Sequence, residues 1–87
     1  MSEDVKLLSA PTNYAVVQLP KRAFPGVVFQ GDSLNILISE LEEARAESDP
    51  HEREAALSRL VDNLRQIQAH YEQALNRQGI SLPYHRP

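Results

Sequence analysis

The longest apolar pattern in the sequence constrains the fold more than any other feature. After Pro50, apolar residues recur every three or four positions, which is typical of one face of an α-helix. These residues are Leu57, Leu60, Val61, Leu64, Ile67, Tyr71, Ala74 and Leu75. A helix over residues 50–78 is about 42 Å long, whereas a compact domain of 87 residues is only about 30 Å across. The helix is therefore longer than a compact domain of this size, and the apolar residues at its far end need another surface to pack against.

Capping residues stand at both ends of this predicted helix. Asp49 can accept hydrogen bonds from the free amides of the first turn, and Pro50 suits the first helical position. Gly79 can adopt the left-handed backbone conformation that closes a helix, which allows Ile80 to fold back onto it. The tail that follows, residues 80–87, contains two prolines and is predicted to be extended.

A shorter helical pattern precedes the long one. Asp32 is predicted to be its N-cap, and the helix is expected to span about residues 33–47. Ile36 falls on the far side of this helix from the apolar stripe. The stripe is formed by Leu34, Leu37, Ile38, Leu41 and Ala44.

Upstream of Asp32, three short runs rich in β-branched and aromatic residues are predicted to be strands, at about residues 5–9, 14–19 and 26–30. The segments between them are too short to hold a crossover helix, so neighbouring strands must run antiparallel. We therefore predict one α+β domain over residues 1–87. It consists of a three-stranded antiparallel β-meander followed by an α-helical hairpin with a long second helix.

Folding back at Ser48 would leave part of the second helix without a neighbour in the first. Leu37 would lie near Leu60 and Leu34 near Leu64. Three apolar residues lie beyond that reach, and they are Ile67, Tyr71 and Leu75. Either the sheet covers them, or they form a seam with another chain. The spacing of three and four favours helix pairing, so we predict a homodimer joined through this seam.

Acidic residues crowd the joint between the two predicted helices, where only Arg45 and Arg53 oppose them. The candidate partner-binding residues are Glu40, Glu43, Glu47, Asp49 and Glu54. Such a patch is either a solvated surface or a site that steers a basic protein partner, such as a nucleic-acid-cleaving toxin. The net charge of −3 argues against nucleic acid itself as the ligand.

The sequence contains no recognisable catalytic or metal-binding motif. The turn at residues 31–33 lacks the Gly-x-Ser-x-Gly pattern of a nucleophile elbow. His51 has no second histidine at the spacing that binds zinc on a helix, and the chain has no cysteine. We therefore predict a protein that is not an enzyme and that needs no cofactor or metal.

The sequence also bears on where the protein resides. No run of about 18 apolar residues is present, which predicts no transmembrane helix. The acidic start Met-Ser-Glu-Asp lacks the basic and then apolar pattern of a secretory signal. We therefore expect a cytoplasmic protein.

One segment resembles a known family. The sequence FPGVVFQGDSL at residues 24–34, followed by LEEA at residues 41–44, resembles HicB-type antitoxins, in which this segment joins the third strand to the first helix of a β-β-β-α unit. The resemblance covers roughly residues 5–47 and implies a protein that binds and neutralises a small RNA-cleaving toxin. From Asp49 onward the chain departs from that pattern, because a HicB-like domain continues into another strand and often into a DNA-binding module.

A second resemblance spans nearly the whole chain. The central segment, together with NYAVV at residues 13–17 and LPY at residues 82–84, is similar to a family of short bacterial proteins of unknown function. That likeness implies no activity. The sequence thus favours a non-catalytic protein-binding module, such as an antitoxin or immunity protein that occludes a toxin. The alternative is a structural or regulatory homodimeric accessory subunit.

Overall fold

The computed structural model describes residues 4–85 and confirms the predicted architecture. A three-stranded antiparallel sheet is followed by two helices that contact each other. The elements are β1 (Lys6–Leu7), β2 (Val16–Gln18), β3 (Gly26–Val27), α1 (Gly31–Ala46) and α2 (Pro50–Arg77). Both ends of the predicted domain 1–87, and the last two residues of the predicted tail, lie outside the described residues.

The strands are shorter than the sequence predicts. Strand β2 lies in the centre of the sheet, where Val17 pairs with Leu7 on one side and with Gly26 on the other. Next to the first pairing, the backbone N–H of Val16 donates to the side-chain Oγ of Ser9 at 2.9 Å. A side chain therefore takes the place of a backbone acceptor there, which ends the regular ladder early.

The hydrophobic core lies between the sheet and the second half of α2. Val16 and Leu75 are fully buried, and burial of a large aliphatic side chain stabilises a fold by about 1.5–3 kcal/mol. The core cluster comprises Leu8, Val16, Tyr71, Ala74 and Leu75, with Val27, Ile80 and Leu82 packed against it. Thus the sheet covers the far end of the long helix.

Both predicted caps of α2 are confirmed. The Asp49 carboxylate accepts hydrogen bonds from the backbone N–H groups of His51 and Glu52 at 2.9 and 3.4 Å. At the other end, Gly79 has a φ of +69°. The N–H of Ile80 then donates to the carbonyl of Leu75 at 2.9 Å, which returns the chain to the core.

The predicted N-cap of α1 is wrong. This helix begins at Gly31, and its N-cap is Gln30, whose extended backbone has φ −69° and ψ 152°. The side chain of Gln30 makes no capping hydrogen bond. Asp32 lies inside the first turn, where its Oδ1 accepts from the N–H of Ser33 at 2.8 Å. A carboxylate there still interacts favourably with the helix dipole, but it does not cap the helix.

The molecule is elongated, with extents of 54 × 31 × 20 Å and a radius of gyration of 15.9 Å. A compact domain of this length would have a radius of about 12 Å. The cause is the first half of α2, which packs mainly against α1. Within that contact, Ala44 of α1 and Leu60 of α2 are buried. We call residues 31–64 the helical hairpin.

The two aspartates at the helix starts should differ in their contribution to stability. Asp49→Ala removes two capping hydrogen bonds and is expected to lower the free energy of unfolding by about 1 kcal/mol. Asp32→Ala removes only a dipole interaction and is expected to cost about 0.3 kcal/mol. Urea unfolding followed by circular dichroism measures both changes. A larger loss for Asp32→Ala would contradict the assignment of the caps.

Candidate protein-binding surfaces

The two sides of the helical hairpin differ in chemistry. One side is a groove of about 640 Å³ that runs between α1 and α2, with Ala44, Ala56 and Leu60 at its base. Five carboxylates line it, together with Arg59 and Asn63. The five are Glu40, Glu43, Glu47, Glu52 and Asp62. We call this surface the acidic groove.

The structure divides the five residues predicted from the sequence to bind a partner. Glu40, Glu43 and Glu47 line the acidic groove together. Asp49 is engaged as the N-cap of α2. Glu54 is exposed, and it does not line the groove.

Two further carboxylates of the acidic groove were not predicted as partner-binding residues. Glu52 lies three residues after Asp49 in the sequence, whereas Asp62 lies farther from the joint between the helices. Glu52, Ala56, Arg59 and Asn63 follow one another at spacings of four, three and four, so they share one side of α2. That spacing predicts that the four residues share one side of α2, but it does not indicate whether this side faces α1.

The other side of the hairpin is apolar. It presents two sets of three aliphatic side chains, each chain between 38% and 53% exposed. They are Leu34, Ile38 and Leu41 on α1, and Leu57, Val61 and Leu64 on α2. Ile38, Leu41 and Leu57 line a common groove whose edges carry Arg45 and Arg53. We call these six residues the apolar face.

Ile36 provides a reference for this face. It is 57% exposed, more than any residue of the apolar face. It stands two positions from both Leu34 and Ile38, and residues two apart on a helix point in different directions. As predicted, Ile36 lies on the far side of α1, so it is an exposed apolar residue outside the apolar face.

The predicted seam residues lie against the sheet of their own chain, which corrects the prediction that they face a second chain. Tyr71 is 7% exposed and Leu75 is fully buried. Ile67 is half-buried and lines an open apolar cavity with Val27 and Phe29 of the sheet region. The reason is that the sheet packs along the second half of α2. The sequence had allowed either the sheet or a second chain to cover these residues.

Tyr71 also anchors the sheet through its hydroxyl group. Its Oη donates a buried hydrogen bond of 2.8 Å to the carbonyl oxygen of Pro25, just before β3. Burial, with a smaller contribution from nearby Tyr84, raises the pKa of Tyr71 above its ordinary value of 10.0. The hydroxyl group therefore stays protonated and remains a donor.

The remaining titratable groups of residues 4–85 do not meet the requirements of a metal site. Within residues 4–85, no three His, Asp or Glu side chains cluster as a metal ion would require. The Nε2 atom of His70 is buried and has no hydrogen-bond partner among the described residues. No helix in the described part of the chain combines the length and apolar character needed to cross a membrane.

The fold and its surfaces define a small α+β protein in which a helical hairpin projects from a sheet. The chain belongs to a family of unknown function (DUF6959), whose model matches residues 1–84. This agrees with the resemblance to a family of short proteins of unknown function. The comparisons do not show the resemblance to HicB-type antitoxins. No curated protein and no solved structure matches the chain.

The Tyr71 hydroxyl should contribute to stability in a way that depends on pH. Tyr71→Phe leaves the Pro25 carbonyl without its donor and is expected to lower the free energy of unfolding by about 1 kcal/mol at pH 7. The pKa of Tyr71 is higher in the folded state than in the unfolded state. Its contribution is therefore fully present below pH 10 and is lost as pH rises through the folded pKa.

Urea unfolding at pH 7 and pH 11 tests this prediction. The wild type should lose more stability between the two values than Tyr71→Phe does. Tyr14→Phe is the control, because it also removes a tyrosine hydroxyl group, here from a ring that packs edge-to-face against Phe29. Equal losses in the wild type and Tyr71→Phe would show that Tyr71 does not cause the alkaline destabilisation.

Proposed function

We propose that this chain is a non-catalytic protein-binding module whose contact surfaces lie on the helical hairpin. The apolar face is the observation that carries the proposal. Its six aliphatic side chains remain 38–53% exposed on one side of two adjacent helices. Contiguous apolar surface in water is unfavourable, and in soluble proteins it commonly marks a place where another protein docks.

The acidic groove indicates the chemistry of a partner. Five carboxylates and one arginine line it, so its potential is negative. A basic protein surface is attracted to such a groove, and the attraction increases the rate of encounter. Nucleic acid would be repelled by the same charges.

Within this class, we propose an antitoxin or immunity protein that acts in the bacterial cytoplasm by occluding a basic toxin. Two features support this. The segment at residues 24–34 joins the third strand to the first helix, as the resemblance to HicB-type antitoxins implies. The acidic groove is opposite in charge to the basic surface with which a protein binds RNA. Occlusion requires a complementary surface and no chemistry from this chain.

A homodimeric accessory subunit is the second candidate function. One observation favours it, namely that both helices present apolar residues with the same spacing. In α1 the intervals between Leu34, Ile38 and Leu41 are four and three. The three apolar residues of α2 repeat those intervals, which makes the apolar face suited to a copy of itself.

The partner is to be isolated by affinity capture on the tagged chain and identified by mass spectrometry. We expect Glu43→Lys to slow its association about threefold or more at low salt, because a lysine in the acidic groove repels a basic surface. The difference should shrink at high salt, where exposed charges are screened. Stopped-flow fluorescence measures the association rates.

Glu54→Lys is the matched control, because it makes the same charge change at an exposed residue of the hairpin. Glu54 lines neither the acidic groove nor the groove on the apolar side. An antitoxin further requires that the captured protein arrest growth when expressed alone and not when co-expressed with this chain. Capture of a larger, non-toxic enzyme would favour the accessory subunit. Equal association rates for both variants would contradict binding at the acidic groove.

A further inference from the structure

We infer that the apolar face docks on the apolar face of a second copy of this chain, with the two helical hairpins antiparallel around a two-fold axis. The four helices of the pair then enclose the twelve aliphatic side chains. This inference rests on the proposed protein-binding function, because it names the occupant of the apolar face. The acidic groove remains available to a different partner.

Self-complementarity is the first argument. In a two-fold interface the same surface is used by both chains. Residues that contact each other across the axis must therefore lie at equal distances on either side of the centre of that surface. Ile38 stands at the middle of the α1 set, with Leu34 and Leu41 about one turn away on either side. Around the axis, Ile38 meets its own copy, and Leu34 of one chain meets Leu41 of the other.

The same axis serves α2. Val61 is the middle residue of its set, with Leu57 and Leu64 on either side. Ile38 lies eight residues before the end of α1 at Ala46, and Val61 lies eleven residues after the start of α2 at Pro50. Since the helices run antiparallel, the two central residues differ in height by about 4.5 Å, less than one helical turn. One axis between them therefore pairs both sets.

The exposed apolar area approaches what a stable pair needs. Covering the exposed parts of the six side chains removes on the order of 400 Å² of apolar surface from water in each chain. A stable interface buries about 800 Å² per partner, and in homodimers roughly two-thirds of that is apolar. The apolar face thus supplies most of the apolar area that a homodimer needs.

Charge selects this face and this orientation. The groove on the apolar face is lined by Arg45 and Arg53 together with Glu42, so each copy brings only one net positive charge to the contact. Pairing through the acidic groove would instead bring ten carboxylates together. Parallel hairpins would also place the two acidic helix joints side by side, whereas antiparallel hairpins place them at opposite ends.

This arrangement has a consequence for binding. The acidic groove lies on the side of the hairpin opposite to the apolar face, so it points outward in the pair. A dimer therefore offers two acidic grooves and can hold two basic partners. Such a bivalent module increases avidity toward a partner that is itself dimeric.

Sedimentation equilibrium of the full chain from about 1 to 100 µM tests the inference. The wild type is expected at twice the chain mass of 9.8 kDa. Ile38→Glu and Val61→Glu should each raise the dissociation constant about 30-fold or more, since each places a carboxylate at the two-fold axis. Ile36→Glu, which also adds a carboxylate to α1, should change it less than threefold.

Circular dichroism verifies that each variant is folded, and a folded, monomeric Ile38→Glu beside a dimeric Ile36→Glu supports the inference. A wild type that sediments as a single chain at 100 µM overturns it. Equal dissociation by Ile36→Glu overturns the assignment to the apolar face. If the wild type is monomeric and Ile38→Glu loses a captured partner, the proposed function stands while self-association fails.

The orientation has its own measurement. The chain has no cysteine, so Ser48→Cys introduces a single site for a spin label at the exposed helix joint. Ser48 lies ten residues from Ile38, and antiparallel hairpins therefore separate the two labels by about 30 Å. Double electron–electron resonance reads this distance directly. A separation of about 15 Å or less would indicate parallel hairpins and overturn the antiparallel arrangement.

Discussion

The packing of the second half of α2 on the sheet is the interaction on which the rest of the structure depends. Leu75 and Val16 are fully buried in this contact. The hydrogen bond from Tyr71 to the carbonyl of Pro25 joins residues that are 46 positions apart in the chain. The sheet has only two to three residues per strand, so it covers about half of a 28-residue helix. The other half must extend beyond the sheet, and α1 folds back along that half alone.

The helical hairpin is consequently stabilised by few contacts of its own. In α1 only Ala44 is buried. In the half of α2 that faces α1, only Leu60 is buried. The apolar residues that remain exposed are too regularly spaced to be incidental, because both helices repeat the intervals four and three on the same side. A surface of this kind gains free energy when another protein removes it from water. The proposed binding therefore depends on the same geometry that makes the molecule elongated.

The separation of charge and apolarity on the hairpin allows one chain to make two kinds of contact. In the proposed function, the acidic groove attracts a basic partner over long range, which acts mainly on the rate of encounter. The apolar face acts at short range and depends on matching shape. Because Ala44 and Leu60 lie between the two surfaces, a protein bound on one side leaves the other accessible. Membership of a family of unknown function is compatible with such a module but assigns it no partner.

The sequence by itself determined the features that arise from local interactions. The order of three strands and two helices follows from apolar periodicity, and the caps at Asp49 and Gly79 follow from hydrogen bonds within a few residues. The tertiary structure alone decided the rest. The rotation of α2 about its axis places Tyr71 and Leu75 on the sheet and leaves Leu57 exposed, and periodicity cannot show this, because both groups lie on one continuous stripe. The packing of α1 against α2 likewise decides which carboxylates share a groove, since the sequence gives the spacing of side chains along each helix but not which side meets its neighbour.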